Sequence, residues 1–156
     1  MSELKDYQTA KYWDRRTIDF KQNRREMLFR DPRFQEYESR TRAMLLSWDD
    51  KAVLDVCCGF GRFATIFNKD NYLGFDFSQE MIKIAEAENE GYQFFQSDVR
   101  EQATLTKQYD VVFEVNSLHC LGLSPEDFFE KYKQYAKQSV ACLEADRFTI
   151  FQIYGN

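Results

Sequence analysis

Three aspartates, each about one strand–helix unit apart, constrain the fold more than any other feature of this 156-residue chain. Asp55, Asp76 and Asp98 each end a short apolar segment with the character of a strand, and successive members lie 21 and 22 positions apart. Strands that alternate with helices at this spacing form a parallel sheet with right-handed crossovers. The carboxyl ends of parallel strands share one edge of the sheet, where open α/β sheets bind ligands. The spacing therefore predicts three carboxylates gathered along one ligand-binding edge.

The remaining pattern predicts an α/β fold, a Rossmann-like doubly wound domain with a mainly parallel five-stranded sheet and N-terminal helices. Strands are predicted at 52–56, 72–75, 92–96, 109–115 and 147–154, and helices at 61–68, 78–90 and 124–143, with a short helical segment at 100–107. Two further helices, within 6–29 and over 33–48, are separated by Asp31-Pro32. We expect a single domain, 1–156, in which 1–48 forms a helical lid and 51–156 forms the core.

Composition narrows the classes of protein to consider. Hydrophobic residues make up 44% of the chain, which indicates a globular domain. No apolar run approaches the roughly 18 residues of a membrane span, and the charged start lacks the apolar stretch of a signal peptide. Four irregularly spaced cysteines predict reduced thiols in a cytoplasmic protein, and no zinc-ligand spacing is present. Residues 1–47 hold 11 Lys+Arg against 8 Asp+Glu, an excess better explained by a solvated helical face than by an acidic partner.

A Gly-rich turn follows the first predicted strand. It contains Asp55, Cys57, Gly59 and Gly61, and such a turn lets a ligand approach the backbone because side chains do not block it. Together with Asp76, this segment resembles the acid-x-Gly-x-Gly-x-Gly motif of the class I S-adenosylmethionine-dependent methyltransferases. Cys57 replaces the first glycine of that motif, so it needs either a negative φ or some backbone strain.

The resemblance implies a set of cofactor contacts. The Gly-rich turn would accommodate the amino-acid portion of S-adenosyl-L-methionine, and Asp76 would accept hydrogen bonds from the ribose hydroxyls. Asp98 would accept from the adenine amine, and Val99 would pack on the ring. The complete set of predicted cofactor-binding residues is Asp55, Cys57, Gly59, Gly61, Asp76, Phe77, Met81, Asp98, Val99 and Asn116, with no metal ligands.

His119, the only histidine, follows the fourth predicted strand in a Leu-His pair. Small-molecule methyltransferases of this family often carry such a pair facing the methyl group, which implies a catalytic general base. A packing or capping role explains the residue equally well. Because the segment lacks the Asn/Asp-Pro-Pro-aromatic sequence of enzymes that methylate base amines, a nucleic-acid substrate is not expected.

The function predicted from these features is methyl transfer to a small-molecule acceptor. A non-catalytic protein that binds the cofactor or a partner is the alternative. An NAD-dependent oxidoreductase fits less well, because its fingerprint requires glycine at Cys57.

The family's sheet usually continues with two more strands, for which this chain has no residues, so the resemblance is to a short form. The predicted fifth strand at 147–154 would then be an apolar sheet edge, which is prone to pairing. We expect two copies of the chain to pair through this strand and form a homodimer. The alternative is that residues 1–30 fold back and cover the strand within one chain.

Overall fold

The computed structural model describes residues 3–101 and 105–154, which form a six-stranded sheet flanked by helices. The strands are β1 (Val53–Val56), β2 (Tyr72–Asp76), β3 (Gln93–Gln96), β4 (Tyr109–Val115), β5 (Ala136–Leu143) and β6 (Phe148–Gln152). The α-helices are α1 (Ala10–Arg30), α2 (Pro32–Leu46), α3 (Gln79–Glu88), α4 (Leu118–Leu121) and α5 (Pro125–Tyr132). The predicted α/β, Rossmann-like class is confirmed, but the sheet has six strands and not five.

The strand order of the sheet is β3-β2-β1-β4-β5-β6, and this order indicates where along the sheet a ligand is expected to bind. β1 to β5 are parallel, and β6 is antiparallel to β5. After β3 the chain crosses back over the sheet to place β4 beside β1. This reversal is a topological switch point, and ligands of open α/β sheets bind beyond the strand ends at such a point.

Alternate side chains of the central strands enter two separate cores. Val53 of β1 and Phe113 of β4 lie in one core, against Leu45 of α2. Leu54 of β1 lies in the other, against Phe128 of α5. This alternation follows from the period-two geometry of a strand, and it leaves the sheet covered on both faces.

The N-terminal helices are ended and anchored by polar side chains. The Asp31 carboxylate accepts from Arg33 N at 2.9 Å and caps α2, whose first residue is Pro32, so the predicted break is confirmed. Asp14 of α1 accepts from the Ser78 hydroxyl at 2.6 Å, at the start of α3. These contacts hold α1 over the carboxyl edge of the sheet.

In the described residues, no helix has both the length and the apolar character needed to cross a bilayer.

The largest correction concerns residues 133–143, predicted as the second half of a helix. The helix ends at Tyr132, and Ala136–Leu143 is a strand. Tyr132, Ala136, Val140 and Leu143 recur at helical spacing, but the strand ends in a continuous apolar run that suits a parallel strand buried on both faces. The segment predicted as the fifth strand is therefore the sixth, with the narrower bounds Phe148–Gln152.

Two other predicted helices are not found as such. The segment 61–68 contains only the 3-10 turn Ala64–Ile66, because few residues remain for the crossover between the Gly-rich turn and β2. In the segment 100–107, the described residues form no helix, and 102–104 lie outside the described residues. The helix predicted over 78–90 is shorter, Gln79–Glu88, and Ser78 caps it as expected.

Candidate active site

A cavity opens at the carboxyl edge of the sheet, beside the switch point between β1 and β4. Its enclosed part measures about 150 Å³, and the space reaches about 840 Å³ when the open solvent at its mouth is included. The segments after β1, β2 and β4 form its floor and sides, and α1 forms one wall. Its lining residues include Trp13, Phe20, Arg24, Asp55, Cys57, Gly59, Arg62, Asp76, Phe77, Met81, Asn116, Ser117, His119, Cys120 and Leu121.

The Gly-rich turn uses left-handed backbone at three positions. Gly59 has φ +57°, and a Cβ added there would meet no atom within 4 Å, so the turn leaves open space beside its backbone. Gly61 has φ +73°, and a Cβ there would lie 2.8 Å from the Phe94 ring. Cys57 has φ +59°, so it adopts the strained alternative that a non-glycine residue faces at this position.

Asp76 joins the end of β2 to the Gly-rich turn. One carboxylate oxygen accepts from Gly59 N at 3.0 Å, and the other accepts from Ser78 N at 2.9 Å. Burial raises the pKa of Asp76 to about 6, while these backbone donors favour the charged form. The carboxylate faces the cavity and retains lone pairs for a ligand.

Asp55 has a different environment at the end of β1. Its carboxyl group is buried and accepts from the Tyr72 hydroxyl at 2.7 Å. Burial raises the pKa of Asp55 to about 7. A substantial share of this group is therefore protonated at neutral pH.

Phe77 and Met81 lie in the cavity wall as predicted, but Asp98 and Val99 do not line the cavity. Asp98 is paired with Arg100, whose Nε and Nη2 donate to it at 2.9 and 2.6 Å. Although burial acts in the opposite direction, this pairing lowers the pKa of Asp98. Val99 is almost wholly buried in the core shared with α5. Seven of the ten predicted cofactor residues therefore line the cavity, and Gly61, which does not line it, lies in the Gly-rich turn.

His119 lies in α4 and lines the cavity with a side chain that is 60% exposed. Its Nε2 is 3.3 Å from Cys120 Sγ, and its Nδ1 is 3.7 Å from a Glu144 oxygen. Contact with Cys120 and with Glu144 raises the pKa of His119 to about 10. The imidazole therefore carries a proton at neutral pH, whereas a general base must first be neutral.

Two acidic residues behind His119 were not found by sequence reasoning. Glu114 of β4 is completely buried, and burial together with Glu144 raises its pKa well above the usual range. Burial also acts to raise the pKa of Glu144, but hydrogen bonds from His119, Glu114 and Leu118 N hold it lower. Protonated Glu114 thus donates to ionised Glu144. The sequence showed only two acids 30 positions apart.

Arg24 of α1 is a further residue that sequence reasoning did not assign to the site. Its guanidinium lies 5.5 and 5.3 Å from the ring centroids of Phe20 and Phe34. Burial, followed by the charge of nearby Arg62, lowers the pKa of Arg24 to about 9. Its Nε is buried without a hydrogen-bond partner in the described part of the chain, whereas Arg62 pairs with Glu38. The signal in the sequence that could have revealed Arg24 is its spacing from Trp13 and Phe20, which places the three side chains on one face of a helix.

Comparison with known proteins identifies the class to which this fold and cavity belong. The sequence model of a protein family described as a methyltransferase domain matches residues 53–139, which are more than half of the chain. The chain therefore belongs to this methyltransferase family. No curated protein sequence matches the chain.

Solved structures of similar fold include several methyltransferases. The DhpI–SAM–HEP complex has a TM-score of 0.63 at 18% identity, covering 91% of this chain and 66% of that chain. Magnesium protoporphyrin IX methyltransferase (ChlM) from Synechocystis PCC 6803, with bound SAM, has a TM-score of 0.62 at 16% identity, with coverages of 91% and 77%. The plantazolicin methyltransferase BpumL, in complex with a monoazolic desmethylPZN analog and SAH, has a TM-score of 0.60 at 24% identity, with coverages of 88% and 56%. The chain spans only about half the length of some other proteins of similar structure, for example 48% of DesVI from Streptomyces venezuelae.

Proposed function

We propose that the protein is a class I methyltransferase that binds S-adenosyl-L-methionine in the cavity and methylates a small molecule. The observation that carries this proposal is the Asp76 carboxylate, bonded to Gly59 N beside the open space at Gly59. A carboxylate at the end of β2 is placed to accept from both hydroxyls of a ribose. The adjacent open backbone admits a second part of the ligand.

Other residues of the cavity fit the remaining parts of this cofactor. The guanidinium of Arg24, whose Nε has no hydrogen-bond partner among the described residues, suits its carboxylate. The apolar wall of Phe77 and Met81 suits its adenine. Contacts of adenine with Asp98 and Val99 remain predictions, and they require a rearrangement around the Asp98–Arg100 pair. When bound, the cofactor supplies a methyl group activated by its sulfonium.

The acceptor is proposed to bind on the side of the cavity formed by Asn116, His119 and Cys120. The DhpI and BpumL structures contain small ligands of their own, which supports a small-molecule acceptor. His119 remains the proposed general base, with one condition: its proton, favoured by Cys120 and Glu144, must leave first. Turnover that depends on this base should therefore rise with pH toward about 10.

A non-catalytic cofactor-binding protein is the second candidate, and the protonated state of His119 favours it. Methyl transfer from labelled S-adenosyl-L-methionine to a fractionated extract of small molecules separates the two candidates. Labelled product that depends on the protein supports the enzyme. Binding of S-adenosyl-L-homocysteine without any labelled product supports the alternative, and the absence of both contradicts the proposal.

A further inference from the structure

Three side chains at the cavity form a series of contacts: the thiol of Cys120, the imidazole of His119 and the carboxylate of Glu144. Cys120 Sγ lies 3.3 Å from His119 Nε2, within hydrogen-bond reach for sulfur. The other ring nitrogen, Nδ1, lies 3.7 Å from Glu144 Oε2, which is within ion-pair distance. A thiol beside an imidazole that is oriented by a third group is the general arrangement of an activated cysteine nucleophile.

The acid of this series is held in place from behind. Leu118 N donates to Glu144 Oε1 at 3.0 Å, and buried Glu114 lies against the same carboxylate. Glu114 is itself fixed by Ser117, whose N and Oγ donate to it at 2.9 and 2.7 Å. Glu144 is therefore an anchored anion that stabilises the imidazolium form of His119. Beyond His119, Asp146 and Arg147 line an adjoining surface groove.

The other three cysteines lack such a base. Burial raises the pKa of Cys57, Cys58 and Cys142, each in surroundings that disfavour the thiolate. Cys58 and Cys142 are also buried. Cys120 is only half-buried, lines the cavity and contacts an imidazole. The conditions for thiol reactivity thus meet at this one cysteine.

We propose that Cys120 is a nucleophilic modification site for soft carbon electrophiles. The attacking species is the thiolate, which forms as the thiol proton leaves to solvent and which pairs with the His119 imidazolium that Glu144 stabilises. The sulfur attacks the electrophilic carbon, a C–S bond forms, and the leaving group departs with its electron pair. The adduct occupies the side of the cavity to which the acceptor is assigned. This reactivity does not depend on the proposed cofactor.

Iodoacetamide at pH 7, with mapping of the adducts by peptide mass spectrometry, tests this proposal. The step transfers a carbamidomethyl group to sulfur and releases iodide. We expect the first adduct on Cys120, at a rate about 10-fold or more above that of glutathione under the same conditions. His119→Gln and Glu144→Gln should each slow this reaction about 5-fold or more, since each removes part of the activating series.

Asp146→Asn is the matched control, because it neutralises a carboxylate of the adjoining groove, whereas the ion pair that His119 forms in the described residues is with Glu144. Its alkylation rate should equal that of the wild-type protein. Thermal unfolding of each variant verifies that the fold is retained. The proposal is wrong if Cys120 reacts no faster than glutathione, if Cys57 is modified first, or if both folded variants react at the wild-type rate.

Discussion

Burial alters the chemistry of Asp55 to an extent that its place at the end of β1 does not reveal. The pKa of its carboxyl group is 3.8 in a model compound and about 7 in the folded protein. Between these values the folded state binds more protons than the unfolded state, so the free energy of unfolding falls as pH rises from about 4 to about 7. Above about pH 7 the Asp55 carboxylate is ionised but still buried, so the folded state bears the whole free-energy cost of keeping that charge away from water.

Asp55→Asn should therefore stabilise the protein at high pH. The amide oxygen can still accept from the Tyr72 hydroxyl, and it carries no charge to bury. We expect the variant to be more stable than wild type by about 2–4 kcal/mol at pH 8, and equal to it within about 1 kcal/mol at pH 4. Urea unfolding of both proteins at the two pH values measures this difference. A stability difference that does not change with pH contradicts the raised pKa.

Arg24 allows a test of how the ligand lies in the cavity. Arg24→Met retains most of the apolar volume between Phe20 and Phe34 but removes the charge. We expect S-adenosyl-L-homocysteine to bind roughly 10- to 150-fold more weakly, the scale of a hydrogen bond to a charged group. Affinity for 5′-methylthioadenosine, which lacks the carboxylate, should stay the same within about threefold.

Calorimetry with both ligands measures the effect, and Arg25→Met, on the exposed side of α1, serves as control. Equal losses for the two ligands would show that Arg24 supports the cavity wall and does not bind the carboxylate.

At the scale of elements, the Gly-rich turn contains two glycines that are needed for different reasons. Gly61→Ala combines left-handed strain of about 1–2 kcal/mol with a clash against Phe94, and overpacking of this kind costs about 1–3 kcal/mol. Gly59→Ala adds only the strain, because no atom lies near its added Cβ, but the new methyl enters the open space of the turn. We expect Gly61→Ala to destabilise the fold more, and Gly59→Ala to weaken binding of S-adenosyl-L-homocysteine more. Denaturant unfolding and calorimetry on the pair decide this, and the opposite ranking in either measurement contradicts the account.

The sequence predicted those elements that local signals define. Asp31-Pro32, Ser78 and Ser124-Pro125 mark helix starts by capping, and the structure has helices beginning next to each of them. It did not predict β5, because helical and buried-strand patterns coincide over Ala136–Leu143. Contacts made by long-range packing were equally out of reach. The approach of Glu144 to His119, across 25 positions of the chain, has no local signal.

At the scale of the whole molecule, β6 determines how the sheet ends. Tyr37 of α2 packs on Phe148, and Phe129 of α5 stacks on Phe151, so both faces of β6 are covered from within the chain. On one face, the contact among the described residues comes from α2, which begins at Pro32. In the described residues, β6 pairs only with β5, which leaves its second backbone edge available.

We predict a symmetric homodimer in which this edge pairs with its mate, since an open strand edge favours such pairing. Sedimentation at micromolar concentration should then give twice the chain mass of 18.7 kDa. A monomer at this concentration would show that the cover provided by α2 and α5 is sufficient.

The central claim is that the cavity beside β1, β2 and β4 binds S-adenosyl-L-methionine through Asp76. Calorimetry of S-adenosyl-L-homocysteine binding to wild type and Asp76→Ala tests it most directly, with Asp146→Asn as a control for the loss of one negative charge. Loss of the ribose contact should weaken binding by about 1.5–3 kcal/mol in Asp76→Ala, provided that the variant unfolds cooperatively. The control should bind as the wild-type protein does. Unchanged affinity in a folded Asp76→Ala variant, or no binding by the wild-type protein, would contradict the account.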